Sequence, residues 1–388
     1  MAVQASTLAG SVPTTREQIR TRSRILAIDA LRGIALVLMA LDHASFFVGA
    51  GLQAESYGGL PVTLQSVAYW GSGLLTNLAS PIFWLLSGIS LALFETGRQR
   101  KGDSEWSITR FMLIRAAVVL ILDLTICNVF WMGQTPYVHV LTTMAVSMAI
   151  LSVARLLPTR MLFGLTIVVL LIYQTFLGWI APQLAAEQAQ GFAQAFWLTY
   201  SYDTRPAIGF PVLGWGVLMW LGFVLGRNQA RAWVQRPMTW IALGMGFLAL
   251  WLSLRLIGGY GDLGAFMAGN SWSHFLIMSK APPSLTYLLF NLGFAALILA
   301  AFYARQTWLE RYPFHWLVVV GQVSLFFYVT HIVVYNLIAR VVNALPLPGP
   351  RVVWGYGTWF AGLGILLLLG YAYRKIRLRY PRSLLRYL

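Results

Sequence analysis

Ten stretches of about 20 mostly apolar residues run through this chain, and that pattern leaves few folds open. They cover residues 26–48, 74–95, 109–131, 137–156, 161–180, 209–227, 238–257, 284–303, 315–341 and 352–373. Backbone amides find no water in hydrocarbon, so each stretch must close its own hydrogen bonds as a helix; barrel strands would alternate and be half as long. Charged residues make up only 10% of the sequence, against roughly 25% in soluble domains. The mean hydropathy is +0.68. Too few charges are present to coat a soluble surface. The expected fold is an all-α, polytopic integral membrane helical bundle of about ten transmembrane helices, or eleven if residues 65–75 form a re-entrant segment. The sequence shows no internal repeat of the kind that marks inverted-repeat transporters.

The net charge of +16 invites a nucleic-acid reading, but its distribution argues against one. Lys and Arg lie in short clusters between the apolar runs. With the N-terminus placed in the cytosol and strict alternation, 21 of them fall on inner segments and 5 on outer ones, while Arg32 and Arg115 lie inside helices. That bias orients the bundle with both termini cytoplasmic. Residues 1–24 are basic, Ser/Thr-rich and without an apolar core, so they are expected to be a disordered cytoplasmic segment and not a signal peptide. Residues 25–375 form the membrane domain and 376–388 a basic cytoplasmic tail. Cys127 is the single cysteine, which excludes an intramolecular disulfide and a cysteine metal site.

Ionisable groups inside spans cost about 2.5–3.5 kcal/mol each on insertion scales, so each calls for a partner or a function. The first helix carries Asp29, Arg32, Asp42 and His43. Asp29 and Arg32 are neighbours at i, i+3 and can pair. Eleven residues on, His43 returns to nearly the same helix face as Arg32, about 17 Å higher. The topology puts Asp123, Asn128, His139, Lys280 and His331 toward the outer side, and His315 at the inner end of its span. Polar groups from several spans meeting at one depth imply a water-accessible, chemically active cavity. It lies under the long outer loops 49–73, 181–208 and 258–283. No HxxxH, HExxH, cysteine pair, G-x-S-x-G or P-loop is present, so no metal is expected. Histidine base catalysis on a hydroxyl or amine is the simplest chemistry left, with Asp42 or Asp123 as equal candidates to orient His43.

The segment from Arg24 to His43, which contains Asp29-Ala30-Leu31-Arg32-Gly33 and ends Leu41-Asp42-His43, resembles the opening helix of the transmembrane acyltransferases. Its Arg32-to-His43 interval matches the Arg-x10-His pattern of the acyltransferase-3 family. Five later segments are similar to the heparan-α-glucosaminide N-acetyltransferase family and its bacterial relatives, in that family's order. They begin at Ser80-Pro81-Ile82-Phe83-Trp84, Gly209-Phe210-Pro211, Tyr260-Gly261-Asp262, Ser279-Lys280-Ala281-Pro282-Pro283 and Gly321-Gln322-Val323-Ser324, the last running to His331.

The resemblance implies an enzyme that moves an acetyl group from cytosolic acetyl-CoA to an extracytoplasmic sugar amine or hydroxyl. Carried over by position, His43 is the catalytic base, Arg32 with Asp29 serves the acyl-CoA side, and Lys280 and His331 line the pocket. The heparan-type enzymes place a catalytic histidine in the loop after the first span, and residues 49–73 here contain none. Either His43 or His331 takes that role, or that chemistry is absent. The partners implied are acyl-CoA, a glycan or lipid-linked sugar acceptor and the lipid bilayer, with a homodimer left open and a bacterial inner membrane as the expected location. The alternative from another class is a proton-coupled transporter of a small anionic or sugar-like solute, built on the same buried polar groups.

Overall fold

The computed structural model describes residues 15–380, apart from 53, 59–61, 63, 65, 134–135, 264–271 and 312, together with residue 383. Its helices are α1 (Thr15–Phe47), α2 (Val67–Thr76), α3 (Ala79–Gln99), α4 (Glu105–Leu122), α5 (Asn128–Met132), α6 (Val140–Ala154), α7 (Thr159–Ala185) and α8 (Phe192–Trp197). Beyond these come α9 (Val212–Arg227), α10 (Pro237–Ile257), α11 (Trp272–Phe275), α12 (Leu285–Ala304), α13 (Gln306–Glu310), α14 (His315–Gln322), α15 (Ser324–Ala344) and α16 (Arg351–Arg379). The four strands are short: β1 (Glu55–Tyr57), β2 (Tyr137–Val138), β3 (Ala207–Ile208) and β4 (Met278–Ala281).

The chain is an all-α polytopic bundle, and each of the ten apolar runs is mostly helical, although the run 137–156 opens in β2 and residues 209–211 precede α9. Among the described residues, seven helical segments are long and apolar enough to cross a membrane, and α6 and α9 are apolar but shorter. The remaining run lies in α1. In place of a re-entrant segment stands α2, which continues through two turn residues into α3 as one 33-residue span; Gln65 lies outside the described residues. Helix α1 begins at Thr15 and α16 ends at Arg379, so helix runs past both expected edges of the membrane domain. Residues 1–14, 381–382 and 384–388 of the two expected tails lie outside the described residues.

Two departures from regular helix interrupt the spans. The expected ninth span divides at Val323, whose N–H is shared between the Val319 and Val320 carbonyls at 3.2 Å each. The division accompanies a close crossing in which Gly321 of α14 lies against the Asp29 backbone carbonyl of α1. A Cβ at that position has no room, so glycine lets the two backbones touch. In the third span, one π-helical turn at Asp123–Cys127 joins α4 to α5. The extra residue rotates α5 relative to α4, and such turns gather at functional sites.

Close backbone contact also sets α3 against α9. Gly88 abuts the Met219 carbonyl, while Gly222 and Gly226 abut the Leu85 and Ile89 carbonyls. The Gly222-x-x-x-Gly226 spacing is therefore a packing motif. Near the C-terminal ends of α3 and α9, the buried Arg155 binds Glu95 at 2.9 Å, and Arg227 grips the same carboxylate at 2.8 and 2.9 Å. Glu105 gives Arg155 a second carboxylate at 2.5 Å.

Candidate functional site

The outer loops come together through two small parallel ladders. β1 pairs with β4, with Glu55 opposite Met278 and Tyr57 opposite Ala281, and β2 pairs with β3, with Tyr137 opposite Ala207. The first ladder brings the loop after α1 beside the loop before α12, and the Lys280 ammonium meets the Glu55 carboxylate at 2.8 Å. Arg255 stands behind it. It holds Asp262 with two hydrogen bonds of 2.7 and 2.9 Å and donates to the Phe275 and Ile277 carbonyls at 2.8 Å, which fixes the segment leading into β4.

Beneath these loops lies a cavity of about 490 Å³. Asp42, His43, Glu55, His139 and Lys280 line it, together with Tyr57, Tyr137, Tyr202 and Trp131. Four residues expected to be site groups or outer-side polar groups, Asp42, His43, His139 and Lys280, thus share one space. Burial alone would lower the Lys280 pKa, but the Glu55 and Asp42 carboxylates outweigh it and hold the ammonium protonated, well above its ordinary value.

His331 of α15 is fully buried directly behind His43. His43 Nδ1 and His331 Nε2 are 2.7 Å apart, and the rings stack with centroids at 4.9 Å. The other ring nitrogen of His331 lies 3.3 Å from the Phe327 carbonyl. A carbonyl only accepts, so this pattern assigns the His331 proton to Nδ1. His331 Nε2 is then an acceptor, and His43 Nδ1 must donate to it. The pattern leaves the lone pair of His43 on Nε2, the nitrogen not used in that contact. The Trp131 ring, with its centroid 4.5 Å from that of His43, fixes the imidazole from another side.

Neither carboxylate expected to orient His43 makes a hydrogen bond with it among the described residues. Asp42 accepts from Thr76 at 3.4 Å and faces the charges of Lys280 and Glu55. Asp123 accepts the Thr142 N–H at 2.7 Å and its hydroxyl at 2.6 Å, and its other oxygen lies 3.8 Å from His139 Nδ1. Helix direction explains both results. Asp42 points about 100° away from His43 around α1. Asp123 opens the π-helical turn, and there it caps the start of α6. The Tyr328 hydroxyl also reaches His139 Nδ1, at 3.0 Å. Asn128 donates to the Tyr137 carbonyl at 3.2 Å, and His315 contacts the Leu309 carbonyl at 3.3 Å, outside the cavity.

Asp29 and Arg32 form the expected pair at 2.8 Å. Arg32 also donates to Ser90 at 2.7 Å and to the Gly321 carbonyl at 3.1 Å. They do not line the outer cavity. Arg32 lines a second cavity of about 60 Å³, with Ser87, Ser90, Ser324 and Arg115. Phe83 borders both spaces.

Sequence reasoning missed Glu55 and Tyr137, whereas Tyr57 and Tyr202 stand among the outer-loop aromatics whose rings suit a sugar face. Glu55 is the only acidic residue in 49–73, a signal that it needed a cation. Tyr137 and Tyr202 stack with ring planes 3° apart, and Tyr57 and Tyr202 lie with centroids at 6.3 Å. No contact among the described residues groups three or more His, Cys, Asp or Glu side chains in a way that could hold a metal ion.

The family model for the catalytic region of heparan-α-glucosaminide N-acetyltransferase matches residues 24–257, more than half of the chain. No curated protein matches it. The chain therefore belongs to the heparan-α-glucosaminide N-acetyltransferase catalytic family and is an integral membrane protein.

Proposed function

We propose that this member of the acetyltransferase family uses acetyl-CoA from the cytosolic side and acetylates a sugar amine or hydroxyl held in the outer cavity, with His43 as the base. A bacterial inner membrane fits that arrangement, with the acceptor a glycan or lipid-linked sugar. The observation that carries the reading is the relay Phe327 carbonyl, His331, His43, whose hydrogen-bond directions leave the lone pair on His43 Nε2. A neutral imidazole so oriented is the form a general base requires.

In the proposed step, the acceptor nitrogen or oxygen attacks the thioester carbonyl carbon while His43 Nε2 takes its proton. The tetrahedral intermediate then expels the CoA thiolate, which recovers the proton from His43. His331 is a positioning residue: its Nε2 accepts from His43 Nδ1 throughout and stabilises the imidazolium that forms. Lys280 supplies positive charge to the cavity where the carbonyl oxygen becomes negative. Tyr57, Tyr137 and Tyr202 offer ring faces and hydroxyls suited to a sugar. The basic inner face suits a polyanionic donor.

The test is acetyl transfer from acetyl-CoA to a glucosaminide by the purified protein and by His43→Gln. We expect kcat to fall about 10²- to 10⁴-fold with the fold intact. A folded His43→Gln protein with full transfer would remove His43 from the role of base.

A further inference from the structure

We propose that Arg115, together with Arg32, binds the phosphate nearest the pantetheine arm of the acyl donor, so that the two cavities hold the two ends of that arm. This rests on the donor reading above and deepens it. Arg115 lies ten residues into the span that begins at Glu105, about 15 Å along its axis. A guanidinium at that depth is expensive unless something pairs with it. Among the described residues Arg115 makes no hydrogen bond and no ion pair, and it lines the smaller cavity together with Ser87, Ser90 and Ser324. Arg32 and Arg377 are the cations that act on it. The one carboxylate paired in this group is Asp29, which Arg32 holds. The cluster therefore carries an uncompensated positive charge inside the membrane, facing this small cavity.

Size and distance identify the occupant. The cavity's volume of about 60 Å³ is room for about four to six waters, which suits one phosphate group and not a nucleotide. Arg32 and His43 lie eleven residues apart on α1, about 17 Å. The chain from a thioester sulfur to the first phosphorus of CoA has a dozen or so bonds. At the extension of a stretched peptide backbone it spans about 15 Å. A donor whose phosphate sits between Arg32 and Arg115 would thus bring its acyl group to His43. Phe83 borders both cavities and stacks on Tyr328 at 5.5 Å, so its side chain must turn aside for the arm to pass.

The experiment is calorimetric titration of the full-length, detergent-purified protein with acetyl-CoA and with acetylpantetheine, which has the same arm and no phosphate. Inorganic pyrophosphate serves as a competing probe. Arg115→Gln is expected to weaken acetyl-CoA binding at least about tenfold and to leave acetylpantetheine within twofold. Arg115→Lys should retain part of the affinity, and pyrophosphate should displace acetyl-CoA from the wild type only. Should Arg115→Gln fail to melt cooperatively, Arg115→Lys carries the comparison through its ratio between the two ligands. Equal losses for both ligands, or unchanged acetyl-CoA binding, would overturn the phosphate site while leaving the donor reading in place. A folded wild-type protein that binds and uses no acetyl-CoA would instead overturn the donor reading and this inference with it.

Discussion

Replacing His331 by Leu separates the positioning of the base from the base itself. His331 is fully buried, and its contact with His43 is a 2.7 Å hydrogen bond between ring nitrogens. Leucine fills much of the same space but offers no acceptor to His43 Nδ1–H. Leaving that buried donor unpaired costs about 1–3 kcal/mol. His43 escapes the penalty by moving its proton to Nε2, the tautomer that cannot act as a base toward the cavity. At about 1.4 kcal/mol per decade, the productive tautomer falls about 5- to 150-fold. The assay is steady-state acetyl transfer from acetyl-CoA, with a melting curve in detergent as the folding control. Because the donor and acceptor contacts are untouched, the loss should appear in kcat with KM changed less than about threefold. His331→Gln, whose side-chain oxygen can accept from Nδ1, should recover part of it. A His331→Leu enzyme that folds and keeps kcat within twofold of wild type would refute the relay and the tautomer assigned to His43.

The packing and charge of the bundle give three further outcomes. Arg32→Ala takes the ion-pair partner from the buried Asp29 carboxylate and should cost about 3–5 kcal/mol, more than the Asp29→Ala/Arg32→Ala double variant; equal losses in chemical denaturation would argue that the 2.8 Å pair carries no coupling. Gly222→Val drives a side chain into the Leu85 carbonyl and should cost at least about 1–3 kcal/mol, visible as a lower melting temperature, whereas Gly246→Val, with open space around its Cβ position, should not. Glu95→Ala leaves Arg227 without its carboxylate and should destabilise strongly, and adding Arg227→Met should restore part of the loss in a double-mutant cycle.

The helices are legible in the sequence because each span is an apolar run with a length set by the bilayer. Depth comes from the same topology, which is why His43, His139, Lys280 and His331 fall together on alternation alone. What the sequence does not carry is rotation. The spans are apolar nearly all round, so hydropathy does not say which side of α15 turns inward, and the pairing of His43 with a residue 288 positions away rests on that rotation. For the same reason sequence spacing points to nearby or same-depth carboxylates, Asp42 and Asp123, for the orienting role, and helix geometry turns both elsewhere. The Glu55–Lys280 contact depends on a parallel pairing of strands three and four residues long, too short to announce themselves. The division at Val323 arises from contact between α14 and α1, a tertiary cause with no proline beside it.

Directional acetyl transfer in proteoliposomes tests the central claim most directly. Radiolabelled acetyl-CoA is supplied on the face that carries the basic termini, and a glucosaminide is supplied on the other. The account predicts labelled N- or O-acetylated sugar on the acceptor face, produced by the wild type and abolished in His43→Gln. A folded protein that yields no acetylated sugar, while carrying the unmodified sugar across the membrane without acetyl-CoA, would contradict it and identify the buried polar groups as a transport path.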